Sequence, residues 1–326
     1  IDASKIIDGA IAVADVADNA ITEAKIADAA VVSLKSGRKN LIINGGFDVW
    51  QRGTSLAGGS VFLADRWFNT TTETQSRQTF TVGQTDVPHN PTYYHRGTGG
   101  STEWYERRQT IENVAITVGR EVTLSYWMKG SSAFTNAPYS TQNFGSGGSG
   151  DVATALSTAS ITTSWARYTH TFTPPSISGK TVGASNYLKL SVLRANLNNI
   201  TVEMANVQFE FGSVATDFEQ RSYGEELALC QRFYERGFGF NNAGTAYIRE
   251  HIPFIVTKRS SPSVIISSNN PSGSGDGTAG SYYQGGTNKT GIYYNAISIY
   301  SYRAGISPGF TANQDIYWEY TADAEL

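Results

Sequence analysis

The chain contains little cysteine and little charge. Its 326 residues include one cysteine, and charged residues make up 16%. A single cysteine, Cys230, excludes an internal disulfide and a thiolate metal cluster. The net charge of -3 provides no general basic field, which argues against a nucleic-acid partner. No run of about 18 apolar residues is present, so the sequence predicts no membrane insertion.

A recognisable catalytic pattern is also missing. Glu103 and Glu106 flank Trp104 and Tyr105, but residues three apart on a strand point to opposite faces, so this carboxylate pair does not suit glycoside hydrolysis. The four histidines are widely spaced, and the sequence has no nucleophile elbow, P-loop or dinucleotide fingerprint. We therefore predict a protein that is not an enzyme, with no catalytic residue and no cofactor.

Glycine and aromatic residues, in contrast, are abundant. The chain has 33 Gly, 18 Tyr and 15 Phe, a composition that is typical of all-β proteins with many turns. Apolar residues alternate over Val122–Met128 with a period of two, which indicates a strand with one buried face. Similar runs recur over residues 40–221 and predict a central antiparallel β-sandwich of the jelly-roll type. We assign four tryptophans to its core: Trp50, Trp67, Trp127 and Trp165.

The stretch 201–236 is predicted to connect two β units. Apolar residues at Val202 and Met204 reappear in the opposite phase from Val207 onward, and such a one-residue phase change indicates a β-bulge near residues 205–206. Ser222 and Glu225 then form a capping box of the S-x-x-E type, which predicts a helix start.

One connecting helix is therefore predicted over residues 222–237, with Gly237 ending it. Tyr223, Leu227, Cys230 and Tyr234 would share its packed face. The remaining residues, 238–326, are predicted to form a small C-terminal β-sandwich, the tip domain. Its core is small, so we expect it to pack on its neighbours or on symmetry mates.

Residues 1–36 are repetitive, and the stalk predicted from them covers residues 1–39. Asp8, Asp18 and Asp28 recur every ten residues, and a branched apolar residue falls every five. Such a short repeat cannot bury its apolar side chains alone, so we predict a stalk in which three chains share an axis. The apolar positions of this trimer stalk are Ile6, Ile11, Val16, Ile21, Ile26 and Val31. An amphipathic helix and a disordered Ala-rich linker remain alternatives.

Aromatic residues are the leading candidates for ligand binding. Sugars stack on exposed rings, and amide and hydroxyl groups read their hydroxyls. Two places combine rings with such polar residues, and neighbouring rings on a strand face opposite ways, so at most about half of them can be exposed. The glycan-binding candidates are Tyr93, Tyr94, Trp104, Tyr105, Tyr282, Tyr283, Tyr293, Tyr294, Tyr300 and Tyr302.

Several ordered motifs resemble tail-fibre proteins of tailed bacteriophages. Residues 209–236 read FEFGSVATDFEQRSYGEELALCQRFYER and are similar to a segment common in that family. Residues 40–53, NLIINGGFDVWQRG, followed by ADRW at 64–67, resemble the family's opening motif. Shorter matches are NFGSGGS at 143–149, PPSISGK at 174–180 and the AEL ending at 324–326. The resemblance spans about Asn40 to Tyr234 and, more loosely, the rest of the chain.

The resemblance implies a fold, a location and partners. The family's central unit resembles the jelly roll of carbohydrate-binding modules, which often holds a structural calcium. In this chain such an ion would place Asn44, Asp48 and Asn206 together. A homotrimeric fibre in the virion is implied, joined to other virion tail proteins on its N-terminal side. The chain begins at Ile1 rather than Met, and we expect it to be the C-terminal part of a longer polypeptide.

The sequence therefore favours a tail fibre that adsorbs to the host cell by binding bacterial surface polysaccharide or lipopolysaccharide. Three weak sites presented together would gain avidity. One alternative is a structural virion fibre or capsid-attached appendage without receptor contact. The other is a polysaccharide-degrading tailspike or an accessory carbohydrate-binding module.

Overall fold

The structure is a computed structural model that describes residues 38–59, 61–70, 73–99, 103–242, 249–268, 282–284, 287–289, 292–294, 297–302 and 315–326. The prediction of an all-β chain with one helix is confirmed for these residues. The helix α1 spans Tyr223–Gln231. The strands are β1 (Ser55–Ala57), β2 (Val61–Phe62), β3 (Phe68–Asn69), β4 (Thr74–Thr79), β5 (Tyr93–Thr98), β6 (Glu103–Glu112), β7 (Val122–Gly130), β8 (Phe134–Asn136), β9 (Tyr139–Asn143), β10 (Val152–Ala155), β11 (Ala159–Ile161), β12 (Ala166–Phe172), β13 (Tyr187–Leu197), β14 (Thr201–Phe211), β15 (Tyr234–Asn242), β16 (Arg249–Pro253), β17 (Ser263–Ser268), β18 (Tyr282–Gln284), β19 (Thr287–Lys289), β20 (Ile292–Tyr294), β21 (Ser298–Tyr302) and β22 (Asp315–Asp323). The predicted stalk positions Ile6, Ile11, Val16, Ile21, Ile26 and Val31 lie outside the described residues.

Two antiparallel six-stranded sheets form the sandwich. We call them sheet I, in the order β1-β4-β5-β14-β7-β12, and sheet II, in the order β10-β9-β13-β6-β3-β2. Alternation places Leu124 and Met128 of sheet I and Leu188 and Leu190 of sheet II on the inner faces, where all four are fully buried. The other phase of each strand is therefore directed to an outer face.

The predicted bulge in β14 is present. The register against β7 shifts between Ala205 and Gln208, and Asn206 has a φ of 46°. The extra residue restores the inward phase, so that Met204 and Val207 are both fully buried.

The helix begins where its capping motif predicts, but it ends earlier. Ser222 Oγ accepts a hydrogen bond from the Glu225 N–H at 3.3 Å, while the Glu225 carboxylate lies 3.1 Å from Arg38. The predicted end at Gly237 is wrong, because the chain pairs as β15 with β22 from Tyr234 onward. Gly237 has a different role there, since a Cβ on it would lie 2.5 Å from Tyr320 Oη.

The predicted packed face of the helix is only partly correct. Cys230 is fully buried, whereas Tyr223 is 60% exposed. Phe233, in the turn after the helix, and Tyr234, the first residue of β15, are buried instead. Among the described residues, no helix is long and apolar enough to cross a membrane.

A buried ion pair holds the start of the C-terminal unit. Lys258 Nζ lies 2.5 Å from Glu235 Oε2, and both side chains are fully buried. Tyr320 Oη donates to the other oxygen of Glu235 at 2.7 Å. Because each group of this trio is hydrogen-bonded, the buried charges are compensated. The strands β15, β22 and β17 form one antiparallel sheet around it.

This C-terminal unit packs directly against the sandwich. The guanidinium of Arg66 lies 3.5 Å from the centre of the Phe233 ring, and that of Arg52 lies 3.6 Å from the Tyr234 ring. Both arginines are also ion-paired with Glu325 near the end of the chain. The expectation that the small unit packs on its neighbour is met at this junction.

Candidate functional site

The outer face of sheet II presents a row of polar and aromatic side chains. Leu188 and Leu190 of β13 point into the core, so Tyr187 and Lys189 have the outward phase. Residue pairing places Ser191 opposite Tyr139 of β9 and Arg108 of β6. The outward side chains of β6, β9 and β13 therefore form one continuous surface.

Glu106 lies at the centre of this surface. Tyr139 Oη donates to Glu106 Oε1 at 2.8 Å, and Ser191 Oγ donates to the same oxygen. Arg108 Nη1 donates to Glu106 Oε2 at 2.8 Å. Burial alone would raise the pKa of Glu106, but hydrogen bonds from Ser191 and Tyr139 and the charges of Arg108 and Lys189 hold that pKa below its usual value. The carboxylate is thus ionised and fixes three surrounding side chains.

Two cations flank the ring of Tyr139. Lys189 Nζ lies 5.3 Å from the ring centre, and the Arg194 guanidinium lies 5.0 Å from it. The ring is partly exposed, and among the described residues no other aromatic ring packs against it. Its orientation is set by its hydroxyl group and by the two cations over the ring, and only the part of the ring that these cations do not cover is accessible to a ligand.

A second partly exposed ring lies on the same face. Tyr187 is four residues from Ser191 on β13, and Ser191 is paired with Tyr139. A rise of about 3.3 Å per residue separates the two rings by about 13 Å along the strand. Lys189 lies between them in the same phase. The order along this face is Arg194, Tyr139, Lys189 and Tyr187.

A small cavity continues the surface toward the C-terminal unit. Its volume is about 60 Å³, and it is lined by Phe62, Phe68, Arg108, Thr110 and Leu326. The Arg108 guanidinium lies 4.5 Å from the centre of the Phe68 ring. Because Arg108 also binds Glu106, it connects the cavity with the Glu106 network.

Two further arginines lie at the C-terminal end of β6. Glu112 accepts two hydrogen bonds at 3.0 Å from Arg232 Nη2, and Arg259 Nε lies 3.5 Å from it. Glu112 is paired with Tyr187 in the sheet. Its negative charge is therefore shared by two arginines beside the second exposed ring.

The outer face of sheet I is arranged differently. Glu203 of β14 accepts a hydrogen bond at 2.7 Å from Arg96 Nε and lies 3.0 Å from Lys129 Nζ. Phe80, Tyr94 and Trp165 pack on one another with ring centres 4.6 to 5.5 Å apart. These rings cover part of each other, and the two cations are directed to one carboxylate.

The structure separates the predicted binding residues of the sandwich. Tyr93 and Tyr94 are both partly exposed and have opposite phases on β5, with Tyr93 beneath the Arg77 guanidinium at 4.3 Å. The prediction for Tyr105 is wrong, because only 1% of its surface is exposed and its ring lies in the core. Trp104 belongs to β6, and its side chain lies outside the described part of the structure.

The C-terminal tyrosines remain predictions. Strands β18, β20 and β21 contain Tyr282, Tyr283, Tyr293, Tyr294, Tyr300 and Tyr302. Their side chains lie outside the described part of the chain, and the structure therefore does not test whether these rings are exposed.

The assignment of four tryptophans to the core is correct for two of them and wrong for the other two. Trp50 and Trp67 are buried, but Trp127 and Trp165 are partly exposed. Trp127 has the outward phase of β7, between the buried Tyr126 and Met128. Trp165 precedes β12 and packs on the outer face of sheet I. The size of a tryptophan side chain gave no information about the phase of its strand.

Sequence reasoning missed most of the sheet II surface. The missed residues are Glu106, Arg108, Tyr139, Tyr187, Lys189, Ser191 and Arg194. Alternation along 103–112 and 187–197 is visible in the sequence and indicates which residues face outward. It does not show that these strands are neighbours of β9, so the contacts of Glu106 with Tyr139 and Ser191 could not be predicted.

The calcium site implied by the resemblance stays a prediction, and of its ligands Asn44 is already engaged within the protein. Asn44 Oδ1 accepts from the Val49 N–H, and its amide group donates to two carbonyl oxygens. Asn206 Oδ1 is buried without a hydrogen-bond partner, and burial, with the nearby charge of Glu226, raises the pKa of Asp48 to about 6. Calcium takes about six to eight oxygen ligands. In the described residues, no group of three or more His, Cys, Asp or Glu could hold a metal ion.

Comparison with known proteins identifies the sandwich region. Residues 39–186 match the family described as "Carbohydrate binding domain", less than half of the chain. No curated protein matches the chain at a significant level.

Similar solved structures include both carbohydrate-binding and phage proteins. The CBM22-1 and GH10 modules of Clostridium thermocellum endo-1,4-beta-D-xylanase 10B, complexed with xylohexaose, are 11% identical, with a TM-score of 0.37 over 54% of this chain and 29% of that chain. The CBM22-1 xylan-binding domain from Paenibacillus barcinonensis is 11% identical, with a TM-score of 0.34 over 54% and 96%. Tailspike protein 4 of bacteriophage CBA120 is 13% identical, with a TM-score of 0.34 over 53% and 21%. The chain thus spans less than a third of the xylanase and tailspike chains.

Proposed function

We propose that the sandwich binds polysaccharide on the outer face of sheet II, without catalysing its cleavage. The observation that supports this most directly is the Glu106 network beneath the partly exposed ring of Tyr139. The match of residues 39–186 to a carbohydrate-binding family supports the same function.

The geometry suits binding rather than hydrolysis. A sugar ring would stack on Tyr139, and a second ring of the same polymer would stack on Tyr187. Glu106 is already bound by Tyr139, Ser191 and Arg108, so its role is to position these groups. Rings fixed in advance lose little conformational entropy when a ligand binds.

Replacement of Tyr139 tests this function. Tyr139→Ala removes both the ring and a donor to Glu106, and we expect the affinity for a bound polysaccharide to fall by about tenfold, or about 1.4 kcal/mol, since the stacking surface is lost and the site is no longer held in position. Tyr139→Phe keeps the ring and should retain part of the affinity. A glycan array followed by calorimetry on the best ligand measures both.

A matched control lies on the other sheet. Trp165→Ala removes a partly exposed ring from the outer face of sheet I and should leave affinity unchanged. If Trp165→Ala abolishes binding and Tyr139→Ala does not, the binding face has been assigned to the wrong sheet.

At the level of the whole protein, we propose a trimeric tail fibre of a bacteriophage that recognises a bacterial surface glycan. The family-like motifs between residues 40 and 236 and the five-residue periodicity of residues 1–36 support this role. Light scattering on the full chain and on a chain without residues 1–39 tests it. A trimer that binds labelled host cells is expected, whereas a monomer in both forms would favour an accessory carbohydrate-binding module.

A further inference from the structure

We infer that the outer face of sheet II binds an anionic glycan, in which sugar residues carry a carboxylate or a phosphate. This inference rests on the proposed function of that face and specifies its ligand. Three properties of the face support it: its charge balance, its supply of hydrogen-bond donors and the order of its side chains.

The charge balance is positive. Four cations, Arg108, Lys189, Arg232 and Arg259, outnumber the three carboxylates of this face, which are Glu106, Glu112 and Asp151 beside Asn143. The Arg194 guanidinium also lies 5.0 Å from the centre of the Tyr139 ring. The complete chain has a net charge of -3, so this positive face is a local feature. A positive surface on a negative protein concentrates an anionic ligand at one place.

Of Tyr139, Ser191 and Lys189, only Lys189 keeps donors for a ligand. The hydroxyl hydrogens of Tyr139 and Ser191 both point to Glu106, and their oxygens can therefore only accept hydrogen bonds from a sugar. Lys189 has no carboxylate within ion-pair distance among the described residues, and its ammonium group lies 5.3 Å from the Tyr139 ring. An ammonium group with three donors binds best to a charged oxygen.

The order of side chains suits a repeating acidic polymer. Along β13, rings and cations alternate as Arg194, Tyr139, Lys189 and Tyr187, because Tyr139 lies beside Ser191. A polymer that stacks on both rings, about 13 Å apart, must pass Lys189 between them. A neutral polymer would offer this ammonium group only neutral oxygens, which replace its lost interactions with water less strongly than a charged oxygen does.

Two pairs of polymers test the inference on the full chain. Polygalacturonate and its methyl ester share a backbone and differ in charge, and phosphomannan and mannan provide the corresponding phosphate pair. We expect the acidic member of at least one pair to bind about tenfold more tightly at low salt, since a charge-assisted hydrogen bond is about twice as strong as a neutral one. This advantage should decrease as salt is added.

Two variants assign the effect to one side chain. Lys189→Gln removes the charge between the rings and should reduce acidic-polymer affinity by about tenfold. Lys129→Gln removes one charge from the outer face of sheet I and should leave that affinity unchanged. Thermal unfolding of both variants verifies that they fold.

The outcomes separate the inference from the function on which it rests. Equal binding of acidic and neutral polymers, or an unchanged affinity in Lys189→Gln, overturns the anionic specificity and leaves polysaccharide binding intact. If an array that carries neutral and acidic polysaccharides shows no binding at all, both the proposed function and this inference are refuted.

Discussion

The two outer faces of the sandwich each use one carboxylate, buried on sheet I and partly buried on sheet II, in different ways. On sheet I, Glu203 binds the cations Arg96 and Lys129, while the neighbouring rings pack on one another. On sheet II, Glu106 binds two hydroxyl groups and one arginine, and Lys189 is left beside an accessible ring. On sheet I the charged groups bind one another. On sheet II, Lys189 and part of the Tyr139 ring remain available to a ligand. Exposed aromatic residues are therefore a poor indicator of a binding face unless their neighbours are known.

The largest expected effect is on stability and comes from sheet I. Glu203→Ala removes a carboxylate that is only 8% exposed and leaves Arg96 and Lys129 without their shared partner. Because Arg96 and Lys129 are themselves about a third exposed, we expect the free energy of unfolding to fall by about 2 kcal/mol, measured by urea denaturation. Polysaccharide affinity should be unaffected. A variant as stable as the wild type would show that the two cations are satisfied by solvent.

The corresponding change on sheet II should affect binding more than stability. In the wild type, Tyr139, Ser191 and Arg108 all donate to the Glu106 carboxylate. Glu106→Gln replaces one of its oxygens with an amide group that cannot accept, so the fixed positions of these three side chains are lost. We expect affinity to fall by about tenfold, or about 1.4 kcal/mol, and stability by about 1 kcal/mol. Calorimetry and urea denaturation on the same protein separate the two effects. Normal affinity in this variant would mean that Glu106 does not position the site.

Tyr187 tests how far the binding face extends. Tyr187→Ala removes the second ring of the row, and we expect affinity to fall by about fivefold, or about 1 kcal/mol. Trp127→Ala, on the outer face of sheet I, is the matched control. If Tyr187→Ala binds short and long oligosaccharides with the same affinities as the wild type does, the ligand contacts Tyr139 and not Tyr187.

The smallest expected effect is that of pH between 8 and 5. The pKa of Glu106 is lowered in the folded protein, so its ionised form is favoured. The contribution of the ionised Glu106 carboxylate is complete at pH values above its ordinary pKa of 4.5. It is lost as pH falls through the lower pKa of the folded state. Affinity should therefore change by less than about twofold from pH 8 to pH 5 and decrease only below about 4.5. A loss of binding already near pH 6 would contradict this assignment.

The fold was more predictable than the site, for a physical reason. Alternation along 122–128 and the phase change after Met204 are local properties, and both the strand and the bulge were predicted from them. The end of the helix was not, because pairing of Tyr234 with Asp323 competes with the helical pattern. The Glu106 network joins residues 33 and 85 positions apart, and a single sequence carries no signal for such contacts.

The close packing at the junction of the two units has a mechanical consequence. Arg66 and Arg52 cover Phe233 and Tyr234, while Arg232 is held by Glu112. A pull on the C-terminal unit would load these contacts together rather than stretch a loose tether. Tension applied when one end of the molecule is attached to a surface would therefore pass directly to the sheet that contains Glu106 and Tyr139.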